Sequence, residues 1–437
     1  MIIGRTQISL YRLILSLSDA LDYICPEIAD HQQRVAYIAV NTARRMGYRN
    51  SDLADIFLAA ALHDIGMIHT EKRVQFLRDG DLAGVSWHGE TGYELLCTND
   101  LFARAARIIR YHHTRWDEFV NSDQETRIVP VASQIVHLAD RVERMIDREG
   151  NILEQSREIV KRIELMAGVE LHPGCVKAFC AVARTEAFWL DCVSERIYSH
   201  LLNVVDESCV DATDSTIQGI AEIFAHVVDA MSGWTAAHTA GVAATAVALS
   251  RQLNFSAREQ TFMRTAGLLH DLGKLSVPPA ILDKKGKLSG KDWVAIKGHS
   301  YYTYRILETV DFPQQITEWA ALHHERIDGR GYPFHLKGKD LSLGSRIMAV
   351  ADVFTALSED RPYRKGIGCV RAIASLQRQV KGGALDGRVV DSLAGNFEVI
   401  DNFRRQEQER YFEKQERLRA VISRESVPVA SGEPVLA

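Results

Sequence analysis

Residues 51–66, SDLADIFLAAALHDIG, hold the reading that decides the fold. Leu53, Ile56, Phe57 and Ala60 recur at helical spacing, and the run closes on an adjacent pair, His63–Asp64. A second copy, TAGLLHDLGKLSV at 265–277, closes the same way on His270–Asp271, 207 positions later. Around each pair stand further histidines and an aspartate in the same order. The first set is His31, His63, Asp64, His88, His112, His113 and Asp140; the second is His238, His270, Asp271, His299, His323, His324 and Asp352. Chance does not place ten of sixteen histidines in matched positions. AYIAVNTARRM, IAEIFAHVVDAM and GVAATAVALSRQL also carry helical periodicity, whereas alternating strand-like runs are nearly absent. The expectation is an all-α protein whose repeat unit is a whole domain, far longer than a solenoid repeat.

A chain of 437 residues is long enough for two such domains. The polar stretch DESCVDATDS predicts a join near 205–215, giving domains over 1–205 and 206–400 and then a charged helix with a disordered tail over 401–437. A net charge of −5 gives no footprint for duplex nucleic acid. Seven scattered cysteines form no CxxC, as expected of reduced thiols in the cytoplasm. The N-terminus reads as an amphipathic helix better than as a signal peptide, and no apolar run suits a membrane span. Trp189, Trp234 and Trp293 lie among apolar neighbours in helical stretches and are expected in the core. His69, His137, His172, His200, His226 and His335 belong to neither set and are expected at the surface or as caps.

Imidazole and carboxylate donors without cysteine suit Fe or Mn, with Ni, Mg or Zn compatible. Seven donors exceed one ordinary site and match two divalent ions in the C-terminal half, with Asp271 placed to bridge them. Two ions a few ångströms apart activate water and neutralise a phosphoryl oxygen, which points to phosphoester hydrolysis.

His270–Asp271 with LGKLSVPPAIL, HHERIDGRGYP at 323–333 and ADVFTALSEDRPYR at 351–364 resemble the bacterial HD-GYP phosphodiesterases. The resemblance spans about 216–397, including the late GGALDGRVVDSL segment. It implies two tandem HD-type helical domains and cleavage of a cyclic dinucleotide to a linear, 5′-phosphorylated product. It implies metal roles for the second ligand set and catalytic parts for Asp271 and Lys274. Lys274, Arg361 and Arg364 would hold phosphates, beside a GYP loop that includes Gly331 and Tyr332 and is implicated in partner contacts. Trp234 stands where trinuclear relatives carry a Glu, so two metals are expected. The tandem arrangement, with no receiver or PAS module, is similar to the branch that handles 3′3′-cyclic GMP-AMP (3′3′-cGAMP), with cyclic di-GMP (c-di-GMP) the other substrate to weigh. An intact Lys274 argues against a non-catalytic metal-bound signalling adaptor, and the GYP segment argues against a general HD-superfamily nucleotide phosphohydrolase.

The first half keeps all seven donors, and so admits metal, but changes their surroundings. Met67 stands at the place of Lys274, HHTRWDEFVNS replaces the GYP segment, and Glu149 and Ile152 stand where the arginines would be. Three readings apply: a relic that helps dimerisation, a regulatory site, or a phosphomonoesterase acting on the linear product with Glu27 as an added carboxylate. A homodimer through the charged C-terminal run is compatible with its composition.

Overall fold

The computed structural model describes residues 9–22, 30–67, 87–121, 130–204, 213–231, 237–282, 284, 286–310, 312–359 and 365–424. Glu27, His69, Trp234, Arg361, Arg364 and the tail from 425 lie outside the described residues. Among those described, the chain is helical and has no strand, only two isolated bridges.

The first half supplies α1 (Leu10–Asp22), α2 (His31–Arg45), α3 (Asn50–Ala61), α4 (Trp87–Leu96), α5 (Ala103–Arg110) and α6 (Val131–Arg144). Four more follow: α7 (Ile152–Leu165), α8 (Pro173–Val182), α9 (Glu186–Cys192) and α10 (Ile197–Val204). The second half repeats the order with α11 (Asp214–Met231), α12 (His238–Gln252), α13 (Ala257–Leu269), a 3-10 turn (Leu272–Ser276), α14 (Gly290–Glu308), α15 (Gln314–Ala321) and α16 (Leu343–Ser358). It ends in α17 (Cys369–Lys381), α18 (Gly387–Gly395) and α19 (Phe397–Arg424).

Contacts divide the chain into two units, 32–205 with 413–437, and 206–412 with 1–31. This differs from the sequence division at both ends. Leu13, Ile14 and Leu17 of α1 are buried, and α1 packs on the 3-10 turn and α14 of the C-terminal unit. Ser16 Oγ lies 2.7 Å from Thr309 Oγ1 in the same contact. The unit boundary falls at the first residue of α2, and the rest of that helix, from Gln32, belongs to the N-terminal unit.

In the C-terminal unit α12 is the central helix. HTAGVAATAVALS, from His238 to Ser250, is buried all round, as expected of a helix surrounded by others. Its small residues let α13 come very close: a Cβ on Gly267 would stand 2.5 Å from Ala243 Cα. α16 packs on another face, and α15 packs on α13 and α14. Ser256 and Ser289 start α13 and α14 with capping boxes, completed by Glu259 and Asp292. In the N-terminal unit α3, α5 and α6 pack together, with α4 on α5.

Trp189 is buried, but Trp293 is about half exposed, because it lies on the outer face of α14. His172 caps α8, its Nδ1 accepting from Gly174 N at 2.9 Å. His137 and His226, by contrast, are buried: the former lies near the His113 ring, and the latter stacks on Tyr411.

Candidate metal centres

Carbonyls three residues upstream aim the imidazoles, most of them at helix ends. The last carbonyls of a helix lack intrahelical partners. His270 follows α13 directly, and its Nδ1 donates to Gly267 O at 2.8 Å. His323 Nδ1 donates in the same way to Ala320 O at 2.7 Å, whereas His299, inside α14, donates its Nδ1 to the mid-helix Ile296 O at 2.6 Å. Each proton is thereby fixed on Nδ1, leaving the Nε2 lone pair for a ligand. The N-terminal half uses the same device, with His63 Nδ1 donating to Ala60 O at 2.9 Å and His112 Nδ1 to Ile109 O at 2.6 Å.

The glycine two residues after each Asp has a structural reason. A Cβ on Gly273 would stand 2.0 Å from His299 O, and one on Gly66 would stand 2.0 Å from His88 O. The backbone after the pair touches the backbone of the next histidine, and only glycine permits that approach.

These approaches gather the C-terminal set. Asp271 Oδ2 lies 3.2 Å from His270 Nε2, and Oδ1 lies 3.6 Å from His299 Nε2, so one carboxylate faces two imidazole groups. His299 and His323 bring their Nε2 atoms to 3.2 Å. Asp352 Oδ1 is 3.2 Å from His238 Nε2, and its Oδ2 is 3.8 Å from His324 Nδ1. Three overlapping groups could each hold an ion: His238–His270–Asp352, His270–Asp271–His323 and His299–His323–His324. His270 Nε2 is buried and makes no hydrogen bond, which fits a metal ligand. Burial drives His299 down to about 3 and His323 well below its ordinary value, so both offer neutral donors. Burial works to raise the Asp271 carboxyl, but His270 and Lys274 outweigh it and hold it well below the usual carboxylate range. Lys274 Nζ lies 2.5 Å from Asp271 Oδ2.

Sequence reasoning missed the residues behind this set. Glu359 Oε2 accepts from His238 Nδ1 at 2.9 Å, and its Oε1 takes Gln408 Nε2 at 2.5 Å. Burial would lower His238, yet Glu359 and Asp352 raise it to about 10. A signal existed: Glu359 lies seven residues, about two helical turns, after Asp352 and so on the same face. Asp229 on α11 is also buried, accepts from Thr239 Oγ1 at 2.7 Å and is pushed up to about 7, chiefly by burial. The GYP loop is fastened by Glu325, whose carboxylate accepts Phe334 N at 2.7 Å and Leu336 N at 3.1 Å. A Cβ on Gly331 would stand 2.4 Å from Glu325 Cα. Tyr332 N donates to His324 O at 3.2 Å, and its ring lies 4.8 Å from that of His324. The late segment closes the loop, with Gly383 O accepting Asp328 N at 2.9 Å.

In the N-terminal set His88 Nε2 lies 3.4 Å from Asp64 Oδ1, 3.2 Å from His112 Nε2 and 2.9 Å from His113 Nε2. His31–His63–Asp64 and His88–His112–His113 could each hold an ion. Met67, at the place of Lys274, instead packs in an apolar contact with Trp87.

Two HD domain matches cover residues 28–145 and 219–389. A 3′3′-cGAMP-specific phosphodiesterase of Vibrio cholerae is 30% identical over 89% of this chain and 92% of its own length. This chain belongs to the HD-GYP phosphodiesterases. A cyclic di-GMP phosphodiesterase of Pseudomonas aeruginosa is 40% identical, but over 32% of this chain and 34% of its own length. The crystal structure of a cyclic GMP-AMP-specific phosphodiesterase of V. cholerae shares the fold, with a TM-score of 0.60 at 24% identity, covering 90% of this chain and 98% of that one. Among the described residues of this HD-GYP protein, no helix is long and apolar enough to cross a membrane.

Proposed function

We infer that the chain is a metal-dependent phosphodiesterase that opens a cyclic dinucleotide to a linear, 5′-phosphorylated dinucleotide. One observation carries this reading: a single buried carboxylate, Asp271, faces His270 and His299 and holds the Lys274 ammonium. The donors suit two divalent ions, with Fe or Mn matching their nitrogen and oxygen chemistry. His238, His270, Asp271 and Asp352 would hold one, and Asp271, His299, His323 and His324 the other. When bound, such a pair supplies an activated water and charge neutralisation for the phosphodiester.

The protein's own groups do the rest. Lys274 places a cation beside Asp271, within reach of a phosphate oxygen at that carboxylate. We assign Arg361 and Arg364 the same task on the motif that carries them. Tyr332, seated against the His324 ring, and Gly331 form the adjacent wall. Glu359 holds the His238 proton on Nδ1, and backbone carbonyls three residues upstream hold those of His270, His299 and His323. We favour 3′3′-cGAMP over c-di-GMP because the relative with that specificity matches across both HD domains. The scattered cysteines, with no CxxC, support a reducing cytoplasm as the setting of this activity.

The test is to load the purified chain with Mn or Fe, supply both cyclic dinucleotides and resolve the products. Linear 5′-phosphorylated dinucleotide should appear, faster from 3′3′-cGAMP. Absence of turnover of either substrate, with metal content verified, would overturn the proposal.

A further inference from the structure

The two centres differ in which carboxylate meets a protein cation. In the C-terminal centre Lys274 lies on Asp271, and Asp352 is left facing His238 and His324. In the N-terminal centre the Lys274 position is Met67, and a cation stands on the other carboxylate instead. Arg144 Nε donates to both oxygens of Asp140, at 2.8 Å and 3.0 Å, from one turn further along α6. The corresponding residue on α16 is Ala356, four after Asp352, which has no charge to offer.

A guanidinium stays protonated at any pH the fold survives, and its flat fork matches a carboxylate. Its charge also bears on Asp64 and on His88, so it faces the centre and not solvent alone. A divalent ion on Asp140 would have to break both hydrogen bonds and sit beside a fixed positive charge. Accordingly, Asp352 joins an ion-holding group with His238 and His270, whereas among the described residues Asp140 joins none. The trio His88–His112–His113 remains intact next to Asp64, whereas His31–His63–Asp64, also close enough for an ion, lacks the second carboxylate: Asp140 Oδ1 lies 3.7 Å from His63 Nε2 but is held by Arg144.

We propose that Arg144 replaces one of the two metal ions in the N-terminal centre, leaving a centre for a single divalent ion at His88, His112, His113 and Asp64. This rests on the reading that the N-terminal donors bind metal at all, and the experiment separates the two. The full chain carrying His270→Ala and His323→Ala, which takes a donor from each of the three C-terminal ion-holding groups, is titrated with Mn(II) after circular dichroism shows that it is folded. It should bind about one ion per chain and give the hyperfine spectrum of an isolated ion in electron paramagnetic resonance. Adding Arg144→Met should raise the content to about two ions and produce an exchange-coupled spectrum. No bound manganese in either variant would defeat the metal-binding reading. Two ions, or a coupled spectrum, with Arg144 in place would defeat the inference, as would a folded Arg144→Met variant that stays at one. If the Arg144→Met protein does not fold, the spectrum of the Arg144-containing chain decides alone.

Discussion

Lys274 shows how one side chain separates two centres that share their donors. Its ammonium sits on a carboxylate oxygen that also faces His270, so its loss changes charge at the site without removing a ligand. Replacing it by methionine, the residue the N-terminal half carries at Met67, should lower kcat by about 10²–10³-fold. Metal content, measured on the same preparation by mass spectrometry, should be unchanged. A drop in both would make Lys274 a support for the metal centre and not a partner of the phosphate. Residues such as Lys274 were legible because their motif neighbours are close in sequence. Glu359 and Arg144 were not singled out, because each acts through a contact that only packing or helix register reveals: Glu359 meets a histidine 121 positions away, and Arg144 has no counterpart in the other repeat.

At the scale of elements, the His–Asp pair, the following turn and the next helix act as one part. Gly273 lets the turn lie on the backbone of His299, and Thr303 ties them further, its Oγ1 accepting Gly273 N at 2.9 Å and donating to His270 O at 3.1 Å. Gly273→Ala should force that helix away, at a cost of about 1–3 kcal/mol. A lowered urea midpoint together with weakened metal binding is the expected result; an unchanged midpoint would show that α14 can give way without cost. The helices themselves were readable from apolar periodicity, which is a local property. The exposure of Trp293 and the burial of His137 and His226 were misjudged, since neighbours in sequence do not say which helix face meets another helix.

For the molecule as a whole, the repeat predicts two centres and their surroundings predict unequal work. His270→Ala with Asp271→Ala should reduce cyclic dinucleotide cleavage by roughly 10³-fold or more. His63→Ala with Asp64→Ala should leave that step in place, measured on the same substrate at matched C-terminal metal content. Equal losses from the two pairs would make the centres interdependent. The all-α class could be read from the chain, and so could most of the histidines and aspartates that the helices gather into clusters. The grouping of α1 with residues 206–412 could not, because an amphipathic helix advertises an apolar face without naming the surface that will cover it.

The carbonyls that hold the Nδ1 protons carry a last consequence. They are backbone atoms, so the imidazole directions they set do not depend on any neighbouring side chain. That part of the nitrogen frame is therefore finished when the helices fold, before an ion arrives, whereas His238 takes its direction only once Glu359 packs against it. It also follows that one copy of the fold can trade its lysine for methionine and its loop for another sequence while its rings still point inward. The chemistry of each half can drift independently because the aim of these histidines is written in the main chain.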